Sequence, residues 1–487
     1  MRAFIMFLLA LAIAGCSRGP DGDALKKNVA DRLAQSLPPG TVTLAGFVRR
    51  GSQSDARAPA GETRRVIYFD VELKLELEFD FGAWDGPGVA GIVSAVGAGP
   101  KGISGITSGG NKAGDVLVAH GAALYKRDGD RWTAVATGSH SPSAAPAYAT
   151  NAPQGAAAIL AAMRKIVESV PKDASTAERA VIEQELAVAH ATIRARLARI
   201  TDGYAIAAGA EHGQYLRFAQ ALPDGKRTRV VPLITRGGEE NLRLLRSGKV
   251  SLALAQADAA LEAYEGRGNF AQDGPHATLR AVGSLYPEPV HVLVRADSQL
   301  RSVADLKGRR VAIGQQGSAS RTTALRVLQA HGLGVKDIVP VELAMGDALI
   351  GVRNKGVDAV IQVIGVPADS IRDALAQVPL RLLPLSERAV ATLVSAKTGY
   401  FSFSIAPGTY ANQGQAVRTI ATAALLLTGG DLSESEVATI TRFVFEKGQD
   451  FTARGSAQGA QVSAANAWTG LPIPLHIAAG KTLDSMK

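Results

Sequence analysis

Leu285–Gly332 reads LYPEPVHVLVRADSQLRSVADLKGRRVAIGQQGSASRTTALRVLQAHG, and its pattern decides the fold class. β-Branched residues crowd Val290–Val294, Ser302-x-x-Asp305 caps a short helix, and Arg309–Ile313 is a second strand. Gln315–Ala319 is then a glycine-containing turn, and Ser320–Ala330 has helical spacing. A strand that ends in Gly317, Ser318 and Ser320 and opens a helix leaves backbone N–H groups without intrahelical partners. Those donors, at the positive end of the helix dipole, favour an anion; a plain tight βα turn has the same composition.

Outward from this stretch, strands alternate with helices. Strands are expected at Tyr204–Ala207, Thr228–Leu233 and Ser251–Ala255, with helices from Gln214 and over Asn241–Arg246. Beyond the opening stretch come strands at Val339–Glu342, Ala359–Ile361 and Arg381–Pro384. Tyr400–Ile405 and helices after Gln413, Ser433 and Ser463 then return to complete the first set. The alternation calls for an α/β module with parallel sheets and helices on both faces. It divides into a lobe of residues 201–289 and 396–487 and a lobe of residues 290–395, with a cleft between them. Ligands of such sheets bind at the carboxyl ends of the strands. Four turns lie there: Gly209-Ala-Glu-His-Gly213-Gln-Tyr215, Thr235-Arg236-Gly237-Gly238-Glu239-Glu240-Asn241, Gln256-Ala-Asp258 and Gly317-Ser318-Ala-Ser320. Gln256 and Asp258 could accept from an ammonium or hydroxyl group.

The same stretch, together with GAEHGQYLRFAQAL (209–222), TRGGEENLRLLRSGKVSLALAQAD (235–258), DALIGVRNKGVDAVIQVIGVP (347–367), IAPGTY (405–410) and TGLPIPLH (469–476), resembles the TAXI-type extracytoplasmic solute-binding proteins of TRAP transporters. The resemblance covers residues 201–487 in order. It implies a two-lobed, type II periplasmic-binding-protein-like module that captures a small organic acid or acidic amino acid, glutamate-like, for TRAP membrane permease subunits. Carried over position by position, the pattern places Gly209, Gly213, Tyr215, Gly237, Gly238, Asn241, Gln256, Asp258, Gly317, Ser318 and Ser320 around the cleft. Tyr286 lies in the LYPE motif at the lobe crossover, and Gly365 and Pro367 reach in from the far lobe. Two departures bring charge. Relatives have an uncharged Thr-Gly-Gly-Ser-like turn where this chain has Arg236 and Glu239, and Arg321 follows a Gly-Ser-Ala-Ser turn in place of Gly-Ser-Gly-Thr. Arg236 or Arg321 could pair with a ligand carboxylate; Glu239 could repel one.

The chain has 487 residues, 46% hydrophobic and 20% charged, enough for two or three folded domains. Its net charge of +9 is spread among interleaved acids and bases, which argues against a nucleic-acid-binding patch. Met1-Arg2, the apolar run Phe4–Ile13 and Ile13-Ala-Gly-Cys16 resemble a bacterial lipoprotein signal. Residues 1–15 would be removed and Cys16, the sole cysteine, acylated, so that residues 16–21 tether the protein to the periplasmic face of a membrane. Ser17 after the cysteine, by resemblance to Gram-negative lipoproteins, points to the outer membrane.

Residues 22–137 read as a small α+β domain: a helix over Ala24–Leu37 and strands at Thr41–Arg49, Val66–Phe79, Asp115–Tyr125 and Trp132–Ala136. In Val71–Phe79 apolar and charged residues alternate strictly, the mark of an antiparallel sheet wet on one face. The glycine-rich residues 82–114 are expected to be an exposed loop. Residues 138–155 have linker composition, and 156–200 form a helical linker whose second half opens on the capping box Ser175-x-x-Glu178. Its stripe Ile182, Leu186, Ala189, Ile193, Leu197 and Ile200 needs a partner: the first helical stretch, the neighbouring domain or a second copy.

Catalysis finds little support. The eight histidines show no metal-ligand spacing, no Gly-x-Ser-x-Gly elbow follows a strand, and Gly209-x-x-x-Gly213 lacks the remainder of a dinucleotide fingerprint. No cofactor is expected. The rival to a transport receptor is a membrane-anchored ligand sensor or scaffold, because about two hundred residues precede the module. A receptor must leave its lobes free to dock on a permease, so a 22–200 region packed across both would favour the rival.

Overall fold

A computed structural model describes residues 22–56, 58–59, 61–86, 88–99, 102–129, 131–135, 175–211, 213–222 and 228–486. The expected signal peptide, Cys16 and its tether, the linker 138–155 and the helical stretch 156–170 lie outside the described residues. The chain forms two compact units, residues 1–140 with 204–487 and residues 141–203. In the first unit the amino-terminal region runs α1 (Gly22–Ser36), β1 (Val42–Ser54), β2 (Arg64–Leu75), α2 (Gly88–Val96), β3 (Ile103–Ser104), β4 (Val116–Asp128) and β5 (Arg131–Val135). The sheet is antiparallel in the order β1-β2-β4-β3, with β5 also on β4.

Alternation in β2 buries Ile67, Phe69, Val71, Leu73 and Leu75 on one face, where Leu25, Val29 and Leu33 of α1 join the same core. The strand stops at Leu75, four residues short of the expected end, and Leu77 is exposed. Residues 82–114 are not an exposed loop. Val89, Ile92, Val93 and Val96 recur at helical spacing in α2, all but one of whose nine residues are buried. The small side chains that suggested a loop allow a close approach instead: a Cβ on Gly91 would stand 2.8 Å from the Ser36 carbonyl oxygen of α1.

The described portion of the second unit is α3 (Thr176–Asp202), opened by a capping box in which the Ser175 hydroxyl accepts from Glu178 N–H and the Glu178 carboxylate accepts from Ser175 N–H.

The module continues through β6 (Tyr204–Gly209), α4 (Gln214–Ala221), β7 (Val230–Ile234), α5 (Gly238–Arg246), β8 (Leu252–Gln256), α6 (Ala257–Glu265) and the long β9 (Arg280–Arg295). Then come β10 (Arg310–Ala312), α7 (Ala319–Ala330), β11 (Val339–Val341), α8 (Met345–Arg353), β12 (Ala359–Val363), α9 (Asp369–Leu375), β13 (Leu380–Leu382), α10 (Glu387–Ser395), β14 (Tyr400–Ile405), β15 (Val417–Thr428), α11 (Glu434–Phe445) and α12 (Ile477–Asp484). The first lobe has the strand order β7-β6-β8-β15-β9 and the second β11-β10-β12-β9-β13. Each is three parallel strands, one antiparallel strand and an edge strand. The architecture is therefore a two-lobed α/β module preceded by a small α+β region.

The lobes are joined by strands, not by loose crossovers. Residues 280–289 of β9 pair with β15 in the first lobe and residues 290–294 pair with β12 in the second. Pro287 and Pro289 are tolerated because β9 is the edge of the first lobe there, so a missing N–H breaks no ladder. β15 corrects an expectation, since a helix is predicted after Gln413. Its run IATAALLLT is buried along its whole length, and an apolar run of that kind carries no periodicity to separate strand from helix. β14 pairs with β15 over Val417–Thr422, and Tyr400, Ile405 and Ile420 pack into the second lobe's core, not the first's.

The amino-terminal region touches both lobes. Arg372 of α9, 4% exposed, donates to the carbonyls of Val93 and Ala98 at the carboxyl end of α2, where a cation suits the helix dipole. Arg64 of β2 returns the arrangement by donating to Ala376 O at the end of α9. On the first-lobe side, Asp450 accepts from Gly105 N–H, Asn466 donates to Gly82 O, and Ala457 and Ala460 enter the amino-terminal core. Trp84 stacks on Phe401 at 5.9 Å.

Candidate functional site

The carboxyl ends of β6, β8, β10 and β12 face one another across the lobes. β6 ends in Gly209, whose φ of +89° carries the chain into the turn that starts α4. Gly213 is the α4 N-cap residue and Gln214 opens the helix. From there the Gln214 amide crosses the cleft, its Nε2 donating to Gly365 O at 2.7 Å and Pro367 O at 3.3 Å. Gln458 Nε2 donates to the same Pro367 oxygen at 2.6 Å. A Cβ built on Gly365 would lie 2.8 Å from Gln214 Oε1, 3.1 Å from Gln458 Cγ and 3.2 Å from Tyr286 Cδ2, so three side chains close on one point.

Beside that point, Tyr215 donates its hydroxyl to Glu288 Oε2 at 2.6 Å. Burial pushes the Glu288 carboxyl up to about 8, the Tyr215 hydrogen bond working against the shift and the Asp258 charge adding to it. Burial likewise pushes the Tyr215 and Tyr286 hydroxyls well above the usual phenol range. A second cluster joins the lobes through Asp258 of α6, 2% exposed. Its Oδ2 accepts from Tyr400 at 2.6 Å and Thr323 at 2.9 Å, and Arg326 of α7 approaches to 3.4 Å while also pairing with Glu262 and donating to Tyr400 at 3.0 Å. Burial works against the Arg326 charge, and the Tyr400 oxygen, Asp258 and Glu262 more than restore it. Arg217 pairs with Asp369 across the same gap, and Asn269 reaches Thr322 at 3.1 Å. At these points the gap is bridged by the chain's own side chains.

The sequence-derived residues divide accordingly. Tyr215, Asp258, Tyr286, Gly365 and Pro367 meet at the interlobe centre. Gln256 is buried at the end of β8, and Ser320 is buried in the second lobe, donating to Val363 O and accepting from Gln362. Asn241 supports its turn, donating to Leu254 O and accepting from Thr235. Ser318 caps α7, and Gly237 and Gly238 open α5. Arg236 and Arg321 lie apart from the centre: Arg236 has a 77% exposed side chain and pairs with Glu240, and Arg321 pairs with Glu342. Glu239 is buried and accepts from Asn269 at 2.7 Å. Gln214, Glu288, Thr323, Arg326, Tyr400 and Gln458 were not foreseen. Glu288 shares a strand face with Tyr286 at a spacing of two, and Thr323 and Arg326 follow Ser320 at helical spacing, so those three had a signal. Tyr400 and Gln458 had none. Among the described residues no group of acids, histidines or cysteines is arranged to hold a metal ion, and no helix is long and apolar enough to cross a membrane.

Residues 206–484 match the model of the NMT1-like family, more than half of the chain. The chain belongs to the NMT1-like family. This NMT1-like protein is 41% identical over 85 residues to an Escherichia coli (strain K12) protein named as an aliphatic sulfonates-binding protein, a match over 17% of this chain and 26% of that one. It thus spans about a quarter of that curated relative's length. Among solved structures it is similar to the periplasmic aliphatic sulphonate binding protein SsuA from Escherichia coli, at 22% identity and a TM-score of 0.34 over 58% of this chain and 84% of that one. It is also similar to a binding protein component of an ABC phosphonate transporter from Pseudomonas aeruginosa, at 14% identity and a TM-score of 0.35 over 53% and 79%.

Proposed function

We propose that the chain is a periplasmic solute-binding receptor that closes its two lobes on a small polar solute and presents it to a membrane permease. The observation that carries this is the meeting of buried polar groups from both lobes, Gln214 against Gly365 and Pro367 and Asp258 against Thr323 and Arg326, at the carboxyl ends of matched strands. Membership of the NMT1-like family supports it. Motifs spread over 201–487 support a TRAP-type permease as partner, and the amino-terminal sequence supports a lipid anchor on Cys16. The role is binding, not catalysis. The resemblance of residues 201–487 supports a small organic acid or acidic amino acid as the solute, while Arg236 and Arg321, the two cations that could have paired with its carboxylate, are engaged by Glu240 and Glu342. Thermal melting of the protein from Ser17 onward against panels of acids, amides and amines tests the reading. A solute at a hundred times its dissociation constant stabilises the fold by about 2.7 kcal/mol. Absence of any stabilising solute across all three classes would defeat the receptor assignment.

A second reading, a ligand sensor or scaffold, is favoured by one observation: the amino-terminal region is hydrogen-bonded to both lobes through Arg372, Arg64, Asp450 and Asn466. Separating the lobes then disturbs that region, which would let it report the solute to a partner. Hydrogen exchange distinguishes the two. Solute-dependent protection of α2 and its flanks supports sensing, and protection confined to residues 204–486 supports transport alone.

A further inference from the structure

We infer that α3 is a self-association surface, which pairs antiparallel with α3 of a second copy of this chain. The sequence of the helix carries both the surface and the orientation. Residues 182–189 read IEQELAVA and residues 193–200 read IRARLARI. At a spacing of eleven residues Ile182 matches Ile193, Leu186 matches Leu197 and Ala187 matches Ala198, while Glu183 and Glu185 are replaced by Arg194 and Arg196. An 11-residue repeat closes in three turns at about 3.67 residues each, close to the 3.6 of an α-helix, so its apolar stripe runs nearly straight along the axis. That stripe is open: Leu186, Ile193, Leu197 and Ile200 are 41%, 51%, 49% and 72% exposed. A continuous row of large apolar side chains on one helix face calls for a covering partner.

The charges say which partner. Acids early and bases late also suit a helix dipole, but that effect fades within the first and last turns, and Glu183, Glu185, Arg194 and Arg196 all lie beyond them. At about 100° per residue, Glu183 and Arg194 flank the stripe on one side and Glu185 and Arg196 on the other. In two antiparallel copies each flank meets the same flank reversed, so the acidic repeat of one copy lies against the basic repeat of the other. A two-fold axis between Ala189 and His190 sets Ile182 level with Leu197 of the second copy, and Leu186 level with Ile193. Glu183 then stands about 3 Å along the axis from the level of Arg194 of the second copy, and Glu185 as far from that of Arg196, within reach of opposite charges. A parallel pair would set like charges together. A patch that is complementary to itself on reversal is what an isologous two-fold contact requires.

Analytical ultracentrifugation of the protein from Ser17 onward, which contains no cysteine, tests this. A concentration-dependent rise to the mass of two copies is expected. Glu183→Arg with Glu185→Arg makes both repeats basic, and Arg194→Glu with Arg196→Glu makes both acidic. Each double change should weaken self-association by about tenfold or more, and the four changes together should restore it. All four positions are exposed, so these changes leave the fold intact. Engineered cysteines read the orientation. Ala189→Cys, beside the axis, should form a disulfide with its own counterpart on oxidation, and Glu178→Cys, about 35 Å from its counterpart in the antiparallel pair, should not. A single-copy mass at every concentration would mean that something other than a second copy covers the stripe, and overturns the inference. So does association that is indifferent to the double changes, a fourfold variant that stays single, or a disulfide in Glu178→Cys.

Discussion

Glu288→Gln should abolish most of the fall in folding stability between pH 6.5 and 8. Glu288 is 4% exposed in β9, and burial raises its carboxyl from 4.5 to about 8. Between those values the folded chain holds a proton that the unfolded chain has released, so stability falls as pH rises. Below 4.5 both forms are protonated and above about 8 neither is, so the loss is confined to that window. Each pH unit inside it is worth about 1.4 kcal/mol, so the rise from pH 6.5 to 8 costs about 2 kcal/mol. His291 has the opposite sign at lower pH. Burial lowers it from 6.5 to about 4, so the unfolded imidazole takes up a proton that the folded one refuses, and stability rises with pH between those values. His276, His331 and His476, also lowered by burial, act in the same direction as His291. Glu262, raised by burial, adds a fall with pH that is common to both proteins. Urea unfolding followed by circular dichroism across pH 6.5 to 8 should show the slope in the wild type and its near loss in Glu288→Gln, where Tyr215 can still donate to the amide oxygen. A flat wild-type profile, or the same slope in the variant, would refute the buried neutral carboxyl.

Arg326→Ala should lower stability by about 2–3 kcal/mol, because it leaves Asp258 and Glu262 without their cation in a mostly buried setting, and urea midpoints measure it. A loss under about 0.5 kcal/mol, the size typical of an exposed pair, would show that Arg326 does not bridge the lobes. Trp84→Ala should cost about 2 kcal/mol by removing the stack on Phe401 and should speed limited proteolysis within residues 22–135; unchanged digestion would mean that the region is held by its other contacts.

The module was legible because its local signals agree with its tertiary ones. Ser433 and Glu436 form the reciprocal cap that their spacing announces, Asp305 accepts from Ser302 N–H at the matching spacing, and strand ends at Gly209 and Gln256, with the turn at Gly317, mark the cleft side. Failures came where side-chain size or uniform hydrophobicity masked the period. In residues 82–114 the glycine count outweighed the spacing of Val89, Ile92, Val93 and Val96, and in β15 unbroken burial from Thr419 to Thr428 erased alternation.

The polarity of the site was hidden for a different reason. A sequence states which charges exist, and only the fold states which of them are already paired. Arg236 sits on a loop at the end of a strand, where an anion would be expected to meet it, yet Glu240 is one helical turn away and the pair closes on itself in solvent. Arg326 lies two turns into α7, past the stretch where a binding loop is usually sought, yet the helix carries it to Asp258 and Glu262 in the other lobe. The electrostatics of an interlobe cleft are thus set by what remains after such pairs are formed. Here the remainder is neutral amide, phenol and a carboxyl kept protonated by burial, a set of groups that no count of arginines and glutamates would disclose.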